Sequence, residues 1–497
     1  EPELHLRSVT LTAKDKICLC ETRECTPEAC PYANGYYARI KGALWDVLDV
    51  PCLTAETLQE YAERHTVCPF ELGLDSSLWS DVIIGDYNYL FDPVVHLVRF
   101  FESAGDYIFL VDEAHNLPGR AREMHSAALT KTSFYEAKKL LGKGKSSLKN
   151  ALTKVNDVFI EWRHRAEEET AARDGRFGKT FFLKERSEEF DHLLNRLCEP
   201  LEAWLDDHRE PDETHTALLQ LYFDVRAWLR VADTFDDHFV LQITASGSEV
   251  RAAQLCLDPS AFLADSFALG RAAVLFSATL APASYYKDLC GVPEARAVAL
   301  RSPFPAGNQG LFCIGNVSTR YKDRDASLAI VEESLATMVR ARCGNYLAFF
   351  PSYAYMEQAY AQFKEHCPEI NCIKQENAMD EQQKAAFLAQ FVPGPSQPLL
   401  GFAVMGGVFG EGVDLTGDRL IGVGIVGPGL PQVGPRQEQL RDYFEQTRGS
   451  GFDYAYRYPG MNKVLQAAGR VIRTPRDKGV VLLIDNRFAM PDYRRLM

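Results

Sequence analysis

Residues 107–119, YIFLVDEAHNLPG, put two carboxylates and an imidazole at the end of an apolar run. Tyr107 to Val111 reads as a buried strand, and open α/β sheets bind their ligands at the carboxyl ends of strands. There Asp112 could hold Mg²⁺ through its water shell, and Glu113 could orient or deprotonate a water attacking the γ-phosphate of a nucleotide. Such a site ordinarily follows a G-x-x-x-x-G-K-[ST] phosphate loop, and no such loop precedes Asp112. The only Gly-Lys-Thr, Gly178-Lys179-Thr180, has Arg173 where the loop's first glycine would stand and lies downstream of Asp112. It is expected to be a turn in a helical segment.

Three further stretches carry chemistry. In KVLQAAGRVIRTPRDKG, a helix would set Gln466, Arg470 and Arg473 on one face, at spacings of four and three. Two guanidiniums aimed at a γ-phosphate would stabilise transition-state charge, whereas the bland alternative is a solvated basic face. FSATL places Ser277 and Thr279 at a strand end, where their hydroxyls could bond the Asp112–His115 segment and couple hydrolysis to movement. VFGEGVDLTGDRL carries glycines that let the backbone approach a ligand, or form a flexible loop.

Thirteen cysteines divide unevenly: seven are scattered from Cys198 onward as small apolar residues would be, and six lie within the first 68 residues. Cys18, Cys25, Cys30 and Cys68 stand out, with Cys20 and Cys52 as spares. Their spacings of six, four and thirty-seven intervening residues are not those of a zinc ribbon. Cys30 and Cys68 each precede a proline, a context common beside iron–sulfur clusters. A [4Fe–4S] cluster, a zinc site and inert thiols all remain open. Between Cys18 and Cys20, the short apolar approach KDKIC favours Cys18.

These groups need α/β elements to position them. Strand-like runs at Val82–Ile84, 272–280, 345–352, 399–405, 419–427 and 479–487 alternate with helical patterns such as SYAYMEQAYAQFKEH and MDEQQKAAFLAQF, which implies two parallel sheets. Between about 118 and 265, charged segments with i, i+3, i+4 apolar spacing predict an insertion of mostly helical structure. No stretch of about 18 apolar residues occurs, and EPELHLRSV has neither the basic nor the apolar region of a secretory signal. The chain is therefore expected in the cytoplasm, away from membranes. Glu1 is not an initiator Met, so a fragment of a longer product is expected. A net charge of −14 argues against a generally basic nucleic-acid binder, although Lys463 to Arg487 could form a local positive surface.

Taken in order, LTAKDKICL, DYNYLFDP, VDEAHNL, LFSATL, FGEGVDL and QAAGRVIRTPRDKG resemble the motifs of XPD/DinG-type superfamily 2 helicases over nearly the whole chain. The resemblance implies two RecA-like parallel-sheet domains, with an iron–sulfur insertion and a helical arch in the first. The partial first domain would take residues 1–117 and 266–305, its iron–sulfur part about 14–72, the arch 118–265 and the second domain 306–497. It further implies a [4Fe–4S] cluster on Cys18, Cys25, Cys30 and Cys68, and ATP and Mg²⁺ at Asp112 and Glu113, coupled through His115. Gln466, Arg470 and Arg473 would meet the γ-phosphate, Gly412 and Asp414 would face the nucleotide cleft, and Tyr87, Tyr89 and Phe91 would lie along DNA. The implied activity is ATP-driven 5′-to-3′ movement on single-stranded or forked DNA by a monomer, in repair or replication. Without its phosphate loop the fragment alone is expected to be inactive. The rival readings are a non-catalytic iron–sulfur DNA-binding protein and a nuclease that kept the helicase shell.

Overall fold

The computed structural model describes residues 5–143, 146–172, 178–210, 212–410 and 415–497. It comprises two compact units, Glu1–Gly105 and Asp106–Met497. In the first unit, β1 (Ser8–Thr10) lies between β2 (Cys52–Leu53) and β3 (Val82–Ile84), all parallel. Helices α1 (Tyr36–Val47), α2 (Ala55–His65) and α3 (Pro69–Ser76) share with β1 a core that includes Val9, Ile40, Leu58, Val67 and Leu72. Thr54 caps α2 by accepting from Thr57 N at 3.3 Å. Cys68 is the residue before α3, and Pro69 is its first residue, where a missing amide costs nothing.

The second unit opens with β4 (Ile108–Val111), followed by α4 (Leu117–Met124) and the inserted domain. The insertion differs from expectation: besides α5 (Lys131–Leu140), α6 (Ser147–Ala172), α7 (Glu188–Asp207) and α8 (Glu213–Asp233) it holds an antiparallel sheet. Its strands are β5 (Ala127–Thr130), β6 (Lys179–Leu183), β7 (Phe239–Ser246) and β8 (Glu249–Cys256), in the order β5-β8-β7-β6. Lys179 to Phe182 of RFGKTFF therefore lie in a strand and not in a turn, while Arg176 and Phe177 lie outside the described residues. Phe181 is buried and faces Ile243 of β7, and that burial outweighs the helical pattern around it.

Within this domain the indole of buried Trp228 donates to Asp191 Oδ1 at 2.8 Å. Asp191→Ala is expected to destabilise the insertion by about 1–3 kcal/mol by stranding that donor. Urea unfolding followed by tryptophan emission measures it, since Trp162, Trp204 and Trp228 all lie here; an unchanged midpoint would contradict it. Burial holds the Asp191 carboxyl above its ordinary value, against the opposing bond from Trp228. What this group adds to stability is thus complete below the ordinary value and lost as pH rises through the raised one.

Beyond the insertion, β9 (Ala272–Leu275) pairs parallel with β4, from Ile108↔Ala272 to Val111↔Leu275. Ile108, Leu110, Val274 and Phe276 are all exposed on this two-stranded ladder. The second sheet has six parallel strands in the order β10-β15-β14-β11-β13-β12: β10 (Gln309–Ile314), β11 (Asn345–Phe350), β12 (Asn371–Lys374), β13 (Leu399–Val404), β14 (Gly422–Val426) and β15 (Gly479–Ile484). Every residue of β11, β13 and β14 is buried, as a parallel sheet covered on both faces requires. Separate apolar clusters form on it, one around Leu347, Phe349 and Val423, the other around Tyr346, Ala348 and Phe402. Since neighbouring β11 residues alternate between the clusters, they cover opposite faces.

Candidate nucleotide-hydrolysis site

β4 delivers Asp112 and Glu113 past its last residue, and the backbone there is anchored to the segment after β9. Phe276 N donates to Val111 O at 3.0 Å, and Ala114 N donates to Phe276 O at 3.1 Å. Between these bonds Glu113 takes a left-handed conformation, φ 46° and ψ 40°, which a residue with a Cβ rarely holds. The turn exposes both carboxylates, and Asp112 Oδ1 accepts from Glu113 N at 2.7 Å. An exposed carboxylate at a strand end suits a hydrated Mg²⁺.

His115 is buried just below. Its Nδ1 lies 2.8 Å from Ser277 Oγ, and Ser277 Oγ donates to Glu113 Oε2 at 3.0 Å. Because that hydroxyl spends its proton on Glu113, it accepts from His115, which assigns the imidazole proton to Nδ1. His115 Nε2 is then the acceptor for the side-chain amide of Gln466, its hydrogen-bond partner on the second sheet's side. The result is a continuous relay, Gln466 to His115 to Ser277 to Glu113. Thr279 is buried, and its backbone N–H donates to Ser277 Oγ at 3.3 Å, so it supports the relay from behind.

The helix Tyr458–Ala468 would have carried Gln466, Arg470 and Arg473 on one face, had it continued; the structure differs. Numbering the helices of the second sheet α9 (Arg324–Ala341), α10 (Tyr353–His366), α11 (Glu381–Ala389) and α12 (Pro435–Arg448), α13 spans Tyr458–Ala468. It ends before Gly469, and the chain leaves in turn-type bonds, Arg470 N to Ala467 O and Val471 N to Ala468 O. The Asp477 carboxylate fixes the exit, accepting from Arg473 N at 2.8 Å, Thr474 N at 2.7 Å and Thr474 Oγ1 at 2.7 Å. Three good bonds to one carboxylate outweigh another helical turn. Arg470 is consequently buried and donates to Gly410 O, while Arg473 is exposed. Asp477 was missed in the sequence; T-P-R-D as a side chain-to-backbone turn was the signal that could have found it.

Gly412 and Asp414 fall outside the described residues. The described start of that loop turns at Gly406, where φ is 74° and an added Cβ would come 3.0 Å from Lys463 Cε.

The other two predicted groups lie in the first unit. Phe91 is buried and Tyr87 sits edge-on to it at 6.3 Å, so core packing claims Phe91, while Tyr87 and Tyr89 are half-buried. Of the cysteines, Cys20 comes to Cys30, Sγ to Sγ 3.9 Å, whereas Cys25 is exposed. Burial, then the neighbouring Cys30 and Cys18 thiols, push the Cys20 thiol up to about 11. Burial likewise raises Cys68. Among the described residues no three donors converge on one point. The donor set is nonetheless entirely thiol, the chemistry that iron–sulfur groups and zinc select.

The DEAD_2 family model matches residues 4–134, and the helicase C-terminal domain model matches residues 335–497. The XPD helicase subunit of general transcription and DNA repair factor IIH from Schizosaccharomyces pombe is 24% identical, over 89% of this chain and 67% of its own. The ATP-dependent DNA helicase CHL1 of Coccidioides immitis is 22% identical over 87% of this chain and 58% of its own. The regulator of telomere elongation helicase 1 of Rattus norvegicus is 22% identical over 96% and 44%. The chain thus spans between 44% and 67% of these relatives' lengths. Among solved structures, one titled XPD helicase aligns over 100% of this chain and 85% of its own, with a TM-score of 0.61 at 18% identity. Xpd4 of S. tokodaii aligns over 83% and 80%, with a TM-score of 0.57 at 16% identity. With its acidic turn, relay and Q-x-x-G-R-x-x-R exit in the order those two models bracket, the chain belongs to the XPD/DinG-type family of superfamily 2 helicases.

Proposed function

We propose that this chain is the body of an ATP-dependent DNA helicase, moving 5′ to 3′ on single-stranded or forked DNA in repair or replication. The relay from Gln466 to Glu113 carries this reading. It ties the carboxylate that would activate water to a side chain beside the second sheet, so displacement of that sheet would be felt at the reacting water. Asp112 would hold Mg²⁺, whose part is to neutralise charge on the phosphates. Glu113 would orient and deprotonate the water. Arg470, released from Gly410 O, and Arg473 would bring positive charge to the γ-phosphate, and Gly412 and Asp414 would border the cleft.

No phosphate loop precedes Asp112 within these 497 residues, and on this reading a longer form of the chain would supply it. The exposed Ile108, Leu110, Val274 and Phe276 offer a strand-and-helix segment of the first RecA-like domain an apolar surface to cover. We assign residues 1–117 and 266–305 to that domain, 118–265 to an arch and 306–497 to the second domain. In the first unit, Cys18, Cys25, Cys30 and Cys68, with Cys20 in reserve, would hold a [4Fe–4S] cluster near residues 14–72. The cluster would cross-link a segment with little regular structure of its own. Tyr87 and Tyr89 would present rings to bases. The enzyme would act as a monomer in the cytoplasm; no helix among the described residues is long and apolar enough to cross a membrane.

The test is DNA-stimulated ATP hydrolysis, measured anaerobically on this chain and on one extended upstream. Activity in the extended form alone is expected. Hydrolysis by the chain as it stands would overturn the fragment reading. Silence in both, with iron and sulfide bound, would favour a non-catalytic DNA-binding protein.

A further inference from the structure

Charge in the inserted domain is sharply segregated. Residues 131–154 contain seven lysines and one acidic residue, Glu136, in a chain whose net charge is −14. Lys145 lies outside the described residues; the other six sit on α5, on the turn that follows, and on the first two turns of α6. Both helices turn their apolar sides inward: Phe134 and Ala137 from α5, and Leu148, Leu152 and Val155 from α6, are buried in one core. The lysines are thereby left at the surface. Lys139 pairs with Glu136 at 3.4 Å, and Lys131 Nζ donates to Ser248 O at 3.1 Å. Lys138, Lys143 and Lys154 have no acidic partner within ion-pairing distance among the described residues. Tyr135, 56% exposed, stands between Lys131 and Lys138 at helical spacings of four and three, on the same face.

Unpaired lysines repel one another, and a cluster of them is a local positive field on an acidic body. A ring exposed among the charges adds a face on which a base can stack, which an acidic protein segment would not use. We propose that this corner of the inserted domain binds single-stranded nucleic acid: Lys138, Lys143 and Lys154 neutralise successive phosphates, and Tyr135 stacks on a base. The inference rests on the DNA-handling reading above and adds a contact surface away from the hydrolysis site.

The test uses the full chain and its K138Q/K143Q/K154Q variant, with circular dichroism confirming that both are folded. Fluorescence anisotropy with labelled oligothymidylate is recorded between about 50 and 200 mM salt. Each phosphate contact on a single strand contributes about 0.7 to the slope of log affinity against log salt, so the triple variant should lose about 2 from that slope. It should also bind roughly tenfold or more weakly at the lower salt. Tyr135→Ala should weaken binding about fivefold or more without altering the slope. If the unsubstituted chain binds and the triple variant binds equally well with the same slope, this proposal is overturned while the DNA-handling reading stands. If neither binds, both fall. If the variant keeps oligothymidylate but loses polyglutamate, the surface serves an acidic protein and the proposal is likewise overturned.

Discussion

Glu113→Gln, introduced into the chain extended with its phosphate loop, is expected to lower ATP turnover by about 10²- to 10⁴-fold while leaving KM for ATP nearly unchanged. Glutamine keeps the size of the side chain and can still accept from Ser277, so the relay geometry survives. What is lost is a carboxylate able to take a proton from water. The left-handed φ of 46° at this residue is a conformation the surrounding backbone bonds impose, and glutamine tolerates it no worse than glutamate. Turnover within tenfold of the unsubstituted enzyme would remove Glu113 from the reaction. A fall in kcat accompanied by a large rise in KM would instead make it a ground-state binding group.

The second large effect concerns stability. Asp485, at the end of β15, has no exposed side-chain surface and is enclosed by donors. Its Oδ1 accepts from Arg487 N at 2.8 Å and Arg487 Nε at 2.7 Å, and its Oδ2 accepts from Arg487 Nη2 at 2.8 Å and Thr319 N at 2.9 Å. Thr319 lies beyond β10, so the carboxylate ties the loops after two adjacent strands. Asp485→Ala is expected to destabilise the second sheet by about 3–5 kcal/mol, because it leaves a largely buried guanidinium without its counter-charge. All five tryptophans, at 45, 79, 162, 204 and 228, lie outside residues 306–497, so far-UV circular dichroism during urea unfolding must report the loss. A shift below about 1 kcal/mol would mean that the pair is replaceable by solvent.

The same carboxylate sets a pH window. Burial alone would raise its pKa, but the bonds and charge of Arg487 and the bonds from Thr319 outweigh burial and hold it below its ordinary 3.8. Its stabilising contribution is present above that ordinary value and disappears as pH falls through the depressed one. Acid unfolding of the unsubstituted chain should therefore be steeper in this range than that of Asp485→Ala.

Much of this molecule was legible one residue at a time. Apolar runs marked β3, β4, β9, β11, β13, β14 and β15, and for β11, β13 and β14 the physical reason is that a parallel strand buried on both faces must be apolar almost throughout. Edge strands were harder: β10, with Leu311 and Phe312 exposed, and β12 lack that continuous signal, and both were missed. The antiparallel sheet of the insertion was hidden for a related reason. Helices α5 to α8 separate β5, β6 and the β7–β8 hairpin from one another, and the dominant helical period masked short runs such as KTFFL. The residue types at Asp112, Glu113, His115, Ser277 and Gln466 were legible as candidates for phosphate chemistry.

How those side chains meet was a property of the fold. Ser277 is 164 residues from Glu113, and Gln466 is 351 from His115, so no local rule could join them into one relay. Spacing placed Arg470 and Arg473 on a helical face, yet the bonds that Asp477 accepts end the helix and turn the first inward and the second outward. The family resemblance implied three rings along DNA, and core packing claims one of them, Phe91. The sequence by itself determined chemical type, because a carboxylate or guanidinium is one wherever it lies. Tertiary structure alone decided partnership, because burial and the competition among distant donors for each acceptor are settled only when the whole chain has closed.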